Sequence, residues 1–294
     1  MIDNSGKTKK TAHMTKKIHI FLIAAAVSIS SAFAAQNFKF GNFGGSFESA
    51  KKAGYDGVQL DNWQRKGENS KIGYTRKDID DIKKKMKELG MQVCSICVPC
   101  YHQFLFEEDK NCVEYMKNVI DAAAELGAEN ILIPFFGKSS LYEKGTKNFR
   151  KERLEPLVKR IKEVAQYAAK KNIVLALENT ITAEDNIKLL DMIGEPNVKV
   201  YFDTLNIVWT GDQPDVAIKK LGKDRIAQIH IKANAEFFDE AKQPEDFDKC
   251  FKAIVDSGYR GWLVLEQGVK RKVHTQDEVI SHNLKFFKNS ALCK

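Results

Sequence analysis

From residue 38 onward, apolar runs of four to seven residues alternate with longer segments whose apolar residues recur every three or four positions. The runs fall at 38–43, 57–60, 92–98, 130–135, 173–178, 198–203, 226–231 and 262–266. They are almost continuously apolar, as strands buried on both faces are. The segments between them carry the helical period, most clearly at 76–89, 112–126, 154–170 and 247–255, with a last helix at 276–287. Gly90, Gly127 and Gly258 stand just past three of these helices, where a C-terminus favours glycine. Eight strands, each followed by a helical segment, predict an α/β fold of the (β/α)8-barrel kind. The rival is a doubly wound open sheet, which normally carries G-x-G-x-x-G after its first strand; Gly41-Asn42-Phe43-Gly44-Gly45 does not match it. The barrel is the preferred reading.

The first 35 residues follow another pattern. Lys16 and Lys17 precede the apolar run 18–27, then serines, then Ala32-Phe33-Ala34-Ala35. A basic start, a short apolar stretch and an A-x-A site predict a secretory signal peptide, and hence an exported protein, periplasmic or secreted. Met14 is the expected true start, and no cysteine follows the small residues to carry a lipid. The apolar run is too short to span a bilayer. No linker or low-complexity run divides the rest, so the expected organisation is a leader and extension at 1–35 and a single barrel domain at 36–294.

Charge and cysteines change this picture little. The chain is 43% hydrophobic and 29% charged, as ordinary globular proteins are. The net charge of +8 falls to +4 without residues 1–34, which hold five lysines and one aspartate. A mildly basic surface spread over helices does not indicate nucleic-acid binding. Cys94, Cys97 and Cys100 form C-x2-C-x2-C, a spacing that could suggest iron–sulfur or zinc. Residues 92–98 read as a strand, however, where positions three apart face opposite sides. Packed thiols are therefore expected.

The chemistry lies at the strand ends. Glu178 closes Val-Leu-Ala-Leu-Glu, Asp203 closes Val-Tyr-Phe-Asp, and Glu266 closes Leu-Val-Leu-Glu, while His230 lies in Ala-Gln-Ile-His-Ile-Lys. In a parallel barrel these ends share one mouth, so the four groups should converge. Three carboxylates together repel one another and are costly to desolvate. One divalent ion pairs with all of them, and an oxygen-rich set with one imidazole suits Mn²⁺, Mg²⁺, Co²⁺ or Zn²⁺. Other strand ends offer Asp61, Trp63 and His102, and Asn179, Trp209, Lys232 and Glu236 flank the metal motifs. Such types suit sugar hydroxyls and a flat C–H face, with His102 and Lys232 the preferred substrate contacts.

The motifs Leu-Glu-Asn (177–179), Phe-Asp-Thr-Leu-Asn (202–206), His-Ile-Lys (230–232) and Leu-Glu-Gln (265–267) resemble those of the xylose-isomerase-like sugar isomerase and epimerase superfamily, a TIM-barrel group. The resemblance spans residues 37 to 288. It implies that Glu178, Asp203, His230 and Glu266 bind the metal and that Glu178 and Glu266 also move protons. It further implies a substrate contact for Glu184 and for Asn206, the latter standing where epimerases of this kind often have histidine. The superfamily's apurinic endonucleases use extra histidines for a multi-zinc cluster. Past the leader only His102, His230, His274 and His282 remain, so DNA repair is not expected.

The expected function is therefore metal-assisted proton transfer beside the carbonyl of a small carbohydrate, through an enediolate, as an isomerase or epimerase needing no organic cofactor. The rival on the same site is a lyase or hydratase acting on 3-keto-glycosides or related keto sugars. A third reading is a non-catalytic carbohydrate-binding barrel. No nucleic-acid partner and no stable membrane insertion after leader cleavage are expected, and a homo-oligomer is compatible with all three readings.

Overall fold

Eight parallel strands pair in chain order and close on themselves: β1 (Phe40–Phe43), β2 (Gly57–Asp61), β3 (Gln92–Cys97), β4 (Asn130–Phe135), β5 (Val174–Asn179), β6 (Val198–Asp203), β7 (Ile226–Lys232) and β8 (Leu263–Glu266). The seam pairs Phe40 with Leu263 through Phe43 with Glu266. This computed structural model describes residues 38–62, 73–242, 246–267 and 273–290. The leader pattern and Trp63 lie outside the described residues. Residues Ala35–Lys294 make one compact unit. No helix among the described residues is long and apolar enough to cross a membrane.

Helices fill the crossovers: α1 (Phe47–Ala53), α2 (Arg76–Leu89), α3 (Cys112–Leu126), α4 (Lys151–Ala169), α5 (Ala183–Ile193), α6 (Asn206–Trp209), α7 (Pro214–Leu221), α8 (Phe247–Asp256) and α9 (Gln276–Lys288). Local chemistry sets their ends. Thr75 with Asp78, and Thr275 with Glu278, form reciprocal capping boxes on α2 and α9. Gly90 closes α2 at φ 60°, a conformation that costs other residues energy. One helix departs from expectation: α4 begins three residues early, with Pro156 inside it. The reason is tertiary. Buried Arg153, in the first turn, binds Glu107 at 2.5 and 3.1 Å and donates to the Ser140 carbonyl at 2.9 Å. Those bonds hold the turn ahead of the proline and fasten α4 to the loops after β3 and β4.

The barrel interior corrects the reading of the cysteine triplet. Strict alternation would send Cys94 and Cys97 to opposite faces. The β2–β3 register shifts between Val58 and Gln59, pairing Val58 with Val93 and Gln59 with Ser95. Cys94 is thus bulged out of the ladder, and a bulge resets the alternation that follows it. Cys94 packs with Val264 and Trp262, and Cys97 packs with Leu132, Ala176 and Tyr201; Phe43 touches both groups. All three thiols of the triplet are buried, and burial pushes the Cys94 thiol up to about 12. Among the described residues, no cysteine belongs to a group that could hold a metal.

Candidate metal centre

Leu132, Ala176 and Tyr201 lie two residues before Pro134, Glu178 and Asp203, so the next inward position along β5 and β6 carries an acid. On β7 the same alternation aims Gln228, His230 and Lys232 at the barrel axis. Cross-strand register then sets neighbours: Asp203 lies opposite His230, and Lys232 opposite Glu266. One ligand atom from each of Glu178, Asp203, His230 and Glu266 comes within 4.8 Å of the others. Divalent ions sit about 2.0–2.2 Å from such donors, so opposite donors stand at most about 4.4 Å apart. Small side-chain rotations close that gap.

The details favour a cation. His230 Nδ1 faces Glu178 Oε1 and Glu266 Oε2, both at 3.2 Å, and Asp203 Oδ2 at 3.8 Å. Asp203 Oδ1 accepts from the backbone N–H groups of Leu205 and Asn206 at 2.8 Å each, in the turn that opens α6. Its Oδ2 is buried without a hydrogen bond. A buried acceptor left without a hydrogen bond is costly. A metal ion ligated there would satisfy it, so the donor set fits a divalent ion.

Without the ion, the site balances its charge with protons and one lysine. Lys232 Nζ lies 2.7 Å from Glu266 Oε1 and 3.8 Å from Asp203 Oδ2. Burial pushes the Asp203 carboxyl up to about 8, against the pull of Lys232 and with help from Glu266 and Glu178. Burial would lower His230, but the Glu178 and Glu266 carboxylates outweigh it and raise the imidazole to about 10. Burial would likewise raise Glu266, yet contacts with His230 and Lys232 hold it down to about 2. Metal ligation would displace protons from this cluster.

Support for the ligands comes from residues that sequence reading passed over. Gln59, inside β2, places Oε1 2.6 Å from His230 Nε2. With Nε2–H donating there, the Nδ1 lone pair is left for a cation, and the ring is held in the orientation that presents it. Tyr201 meets the imidazole edge-on at 4.4 Å and donates to Gln228 Oε1 at 2.8 Å. A glutamine in the middle of an otherwise apolar strand was the available signal.

The sequence family model for the xylose isomerase-like TIM barrel matches residues 47–290. The chain belongs to this family. It is 27% identical over 252 residues to an Escherichia coli (strain K12) protein provisionally named an L-ribulose-5-phosphate 3-epimerase, covering 79% of this chain and 85% of that one. It is 24% identical over 228 residues to an inosose dehydratase of Clostridium botulinum, covering 65% and 74%. Among solved structures, the 3-keto-D-glucoside 4-epimerase YcjR of E. coli superposes with a TM-score of 0.68 at 19% identity, over 85% of this chain and 99% of that one. At that identity the superposition speaks for the fold alone. By sequence, this xylose isomerase-like barrel therefore has L-ribulose-5-phosphate 3-epimerases among its relatives.

Within this family member, the remaining sequence candidates separate. Lys232 stands against Glu266, as described. Asn206 is buried and donates from Nδ2 to Glu178 Oε1 at 3.1 Å, so it orients a ligand. His102 is exposed at the turn after β3 and stacks on Phe136 with ring centroids 5.3 Å apart. Desolvation disfavours its charged form, and the charges of Glu178, Glu266 and Lys232 reach it. Glu184 is a correction. It sits exposed on the first turn of α5, binding Lys188 and Lys220 at 3.1 Å, because the phase of that helix turns it toward α7. Asn179 is spent on the β5–α5 turn through Asn186 and the Ile181 N–H. Asp61 lies across from Cys97, and Glu236 pairs with His274 at 3.3 Å.

Proposed function

We propose that this chain is a divalent-metal-dependent sugar isomerase or epimerase. The observation that carries the reading is the convergence of three carboxylates and an imidazole Nδ1 at the barrel mouth, with Asp203 Oδ2 buried and unbonded. A cation held by Glu178, Asp203, His230 and Glu266 supplies polarisation of a substrate carbonyl and stabilisation of the charge that develops on its oxygen. One of the two glutamates takes the acidified proton from the neighbouring carbon, giving an enediolate. The other returns a proton, to the opposite face for an epimer or to the adjacent carbon for an isomer. Asn206 steadies Glu178 through its Nδ2. Lys232 sits where it can donate to a substrate oxygen, and His102 offers a hydroxyl contact at the rim. The epimerases among its sequence relatives support this assignment.

Metal analysis of the purified protein, followed by incubation with ketoses and 3-keto-glycosides in D2O, tests it. Deuterium should enter next to the carbonyl. Glu266→Gln should abolish that exchange and leave most of the bound metal in place; unchanged exchange refutes the role. A second reading, elimination to a keto-sugar alkene, is favoured by the inosose dehydratase relatives, and the same spectra report it as a new double bond. We further propose that the enzyme is exported, on the leader pattern of residues 16–35. N-terminal sequencing of protein from the extracytoplasmic fraction checks this.

A further inference from the structure

One large aromatic side chain among the described residues is left exposed, and it stands beside the metal cluster. Trp209 is 60% exposed; the other exposed large apolar residues are Met192, Val216 and Val273. Trp209 ends the short helix α6, one turn after Asn206, which holds Glu178. The Lys232 ammonium that lies 2.7 Å from Glu266 lies 5.9 Å from the centre of the Trp209 ring. The indole thus borders the candidate centre on one side. It also lines a cleft of about 560 Å³ together with Tyr142, Lys144, Lys147, Thr180 and Thr210. These residues come from the loops after β4, β5 and β6, which all open on the mouth of the barrel.

The geometry points to this cleft as a subsite for a second sugar ring, so that the substrate is a keto-glycoside with its oxidised ring at the metal and its outer ring on Trp209. This deepens the proton-transfer reading above and rests on it for the role of the first ring. A flat apolar face with hydroxyls and ammonium groups around it matches a pyranose, whose C–H face stacks while its hydroxyls take hydrogen bonds. Lys232 is within reach of both Glu266 and the Trp209 ring, and Trp209 lines the cleft, so a ring held at the cluster has the indole as its neighbour and what is attached to it can lie in the cleft. A phosphate is the weaker fit, because Glu143 lines the same loop wall as Lys144 and Lys147.

Saturation-transfer NMR on the full chain with maltose, cellobiose, lactose and sucrose reads the subsite without chemistry, since none of the four is a 3-keto sugar. At least one should receive saturation on the C–H protons of one ring. Trp209→Ala should abolish the transfer, whereas Trp209→Phe and Glu266→Gln should keep it. With metal loaded, the 3-keto form of the bound disaccharide should exchange deuterium with a kcat/KM about tenfold above that of methyl 3-keto-glucoside, and Trp209→Ala should remove that advantage. Transfer without any deuterium exchange would uphold the subsite and remove the proton-transfer reading. Failure of all four disaccharides, transfer that survives Trp209→Ala, displacement by inorganic phosphate, or equal handling of one and two rings would overturn the proposal.

Discussion

Replacing Gln59 with leucine removes the acceptor beneath His230 while keeping a side chain of similar size in the barrel core. The two atoms are 2.6 Å apart, and both residues are buried. Losing that hydrogen bond costs about 1 kcal/mol, and stranding the buried Nε2–H adds about 1–3 kcal/mol. The change also deletes Gln59 Nε2, itself buried without a partner, which returns a desolvation cost of similar size. Folding free energy measured in chelator should therefore move by only about 1 kcal/mol. Metal affinity should suffer far more. With no acceptor below, the ring can turn and the proton can move to Nδ1, the atom that faces Glu178 and Glu266. Loss of such an orienting partner weakens metal binding by about 10–100-fold, or about 1.4–2.8 kcal/mol. Competition between the protein and a coloured chelator for Mn²⁺ measures the affinity, and thermal unfolding in EDTA measures the stability. A folded Gln59→Leu variant that binds Mn²⁺ as tightly as the parent would refute the assignment of Gln59 as the orienting residue.

Mn²⁺ binding near neutral pH should release protons, because Asp203 (up to about 8) and His230 (up to about 10) hold theirs in the cation-free site and ligands must shed them. Affinity should accordingly strengthen as pH rises from about 6 toward 8, and calorimetry in buffers of different ionisation enthalpy counts the protons; an affinity flat across that range contradicts the scheme. Arg153→Met should lower the unfolding free energy by about 3–5 kcal/mol by leaving Glu107 buried and unpaired, and adding Glu107→Leu should recover most of it in urea unfolding. Gly90→Ala should cost about 1–2 kcal/mol through its φ of 60° alone, since the nearest side-chain atom, Lys51 Nζ, is 4.0 Å from the added methyl.

The alternation of apolar runs and helical periods was legible because each depends on neighbours within one strand or one turn. Burial on both faces made the strands continuous, and Gly90 marked a helix end through a dihedral that only its own residue sets. The convergence of Glu178, Asp203, His230 and Glu266 was legible for a related reason: in a parallel barrel every strand end reaches one mouth, so these side chains had to approach whatever the loops did. The early start of α4 was not, since it rests on Arg153 meeting Glu107 from 46 residues away.

Sequence alone thus determined the strand count, the barrel and which three acids and one histidine meet at its mouth, all consequences of periodicity and strand direction. Only the tertiary structure decided that Gln59 lies under His230 across 171 residues, that Asn206 holds Glu178, and that the phase of α5 carries Glu184 outward to two lysines. It also placed Cys94 and Cys97 together inside the barrel, because one bulge shifts the alternation that a strand pattern assumes. Register between distant strands and the rotational phase of a helix depend on how the whole barrel closes, and no local pattern of residues encodes them.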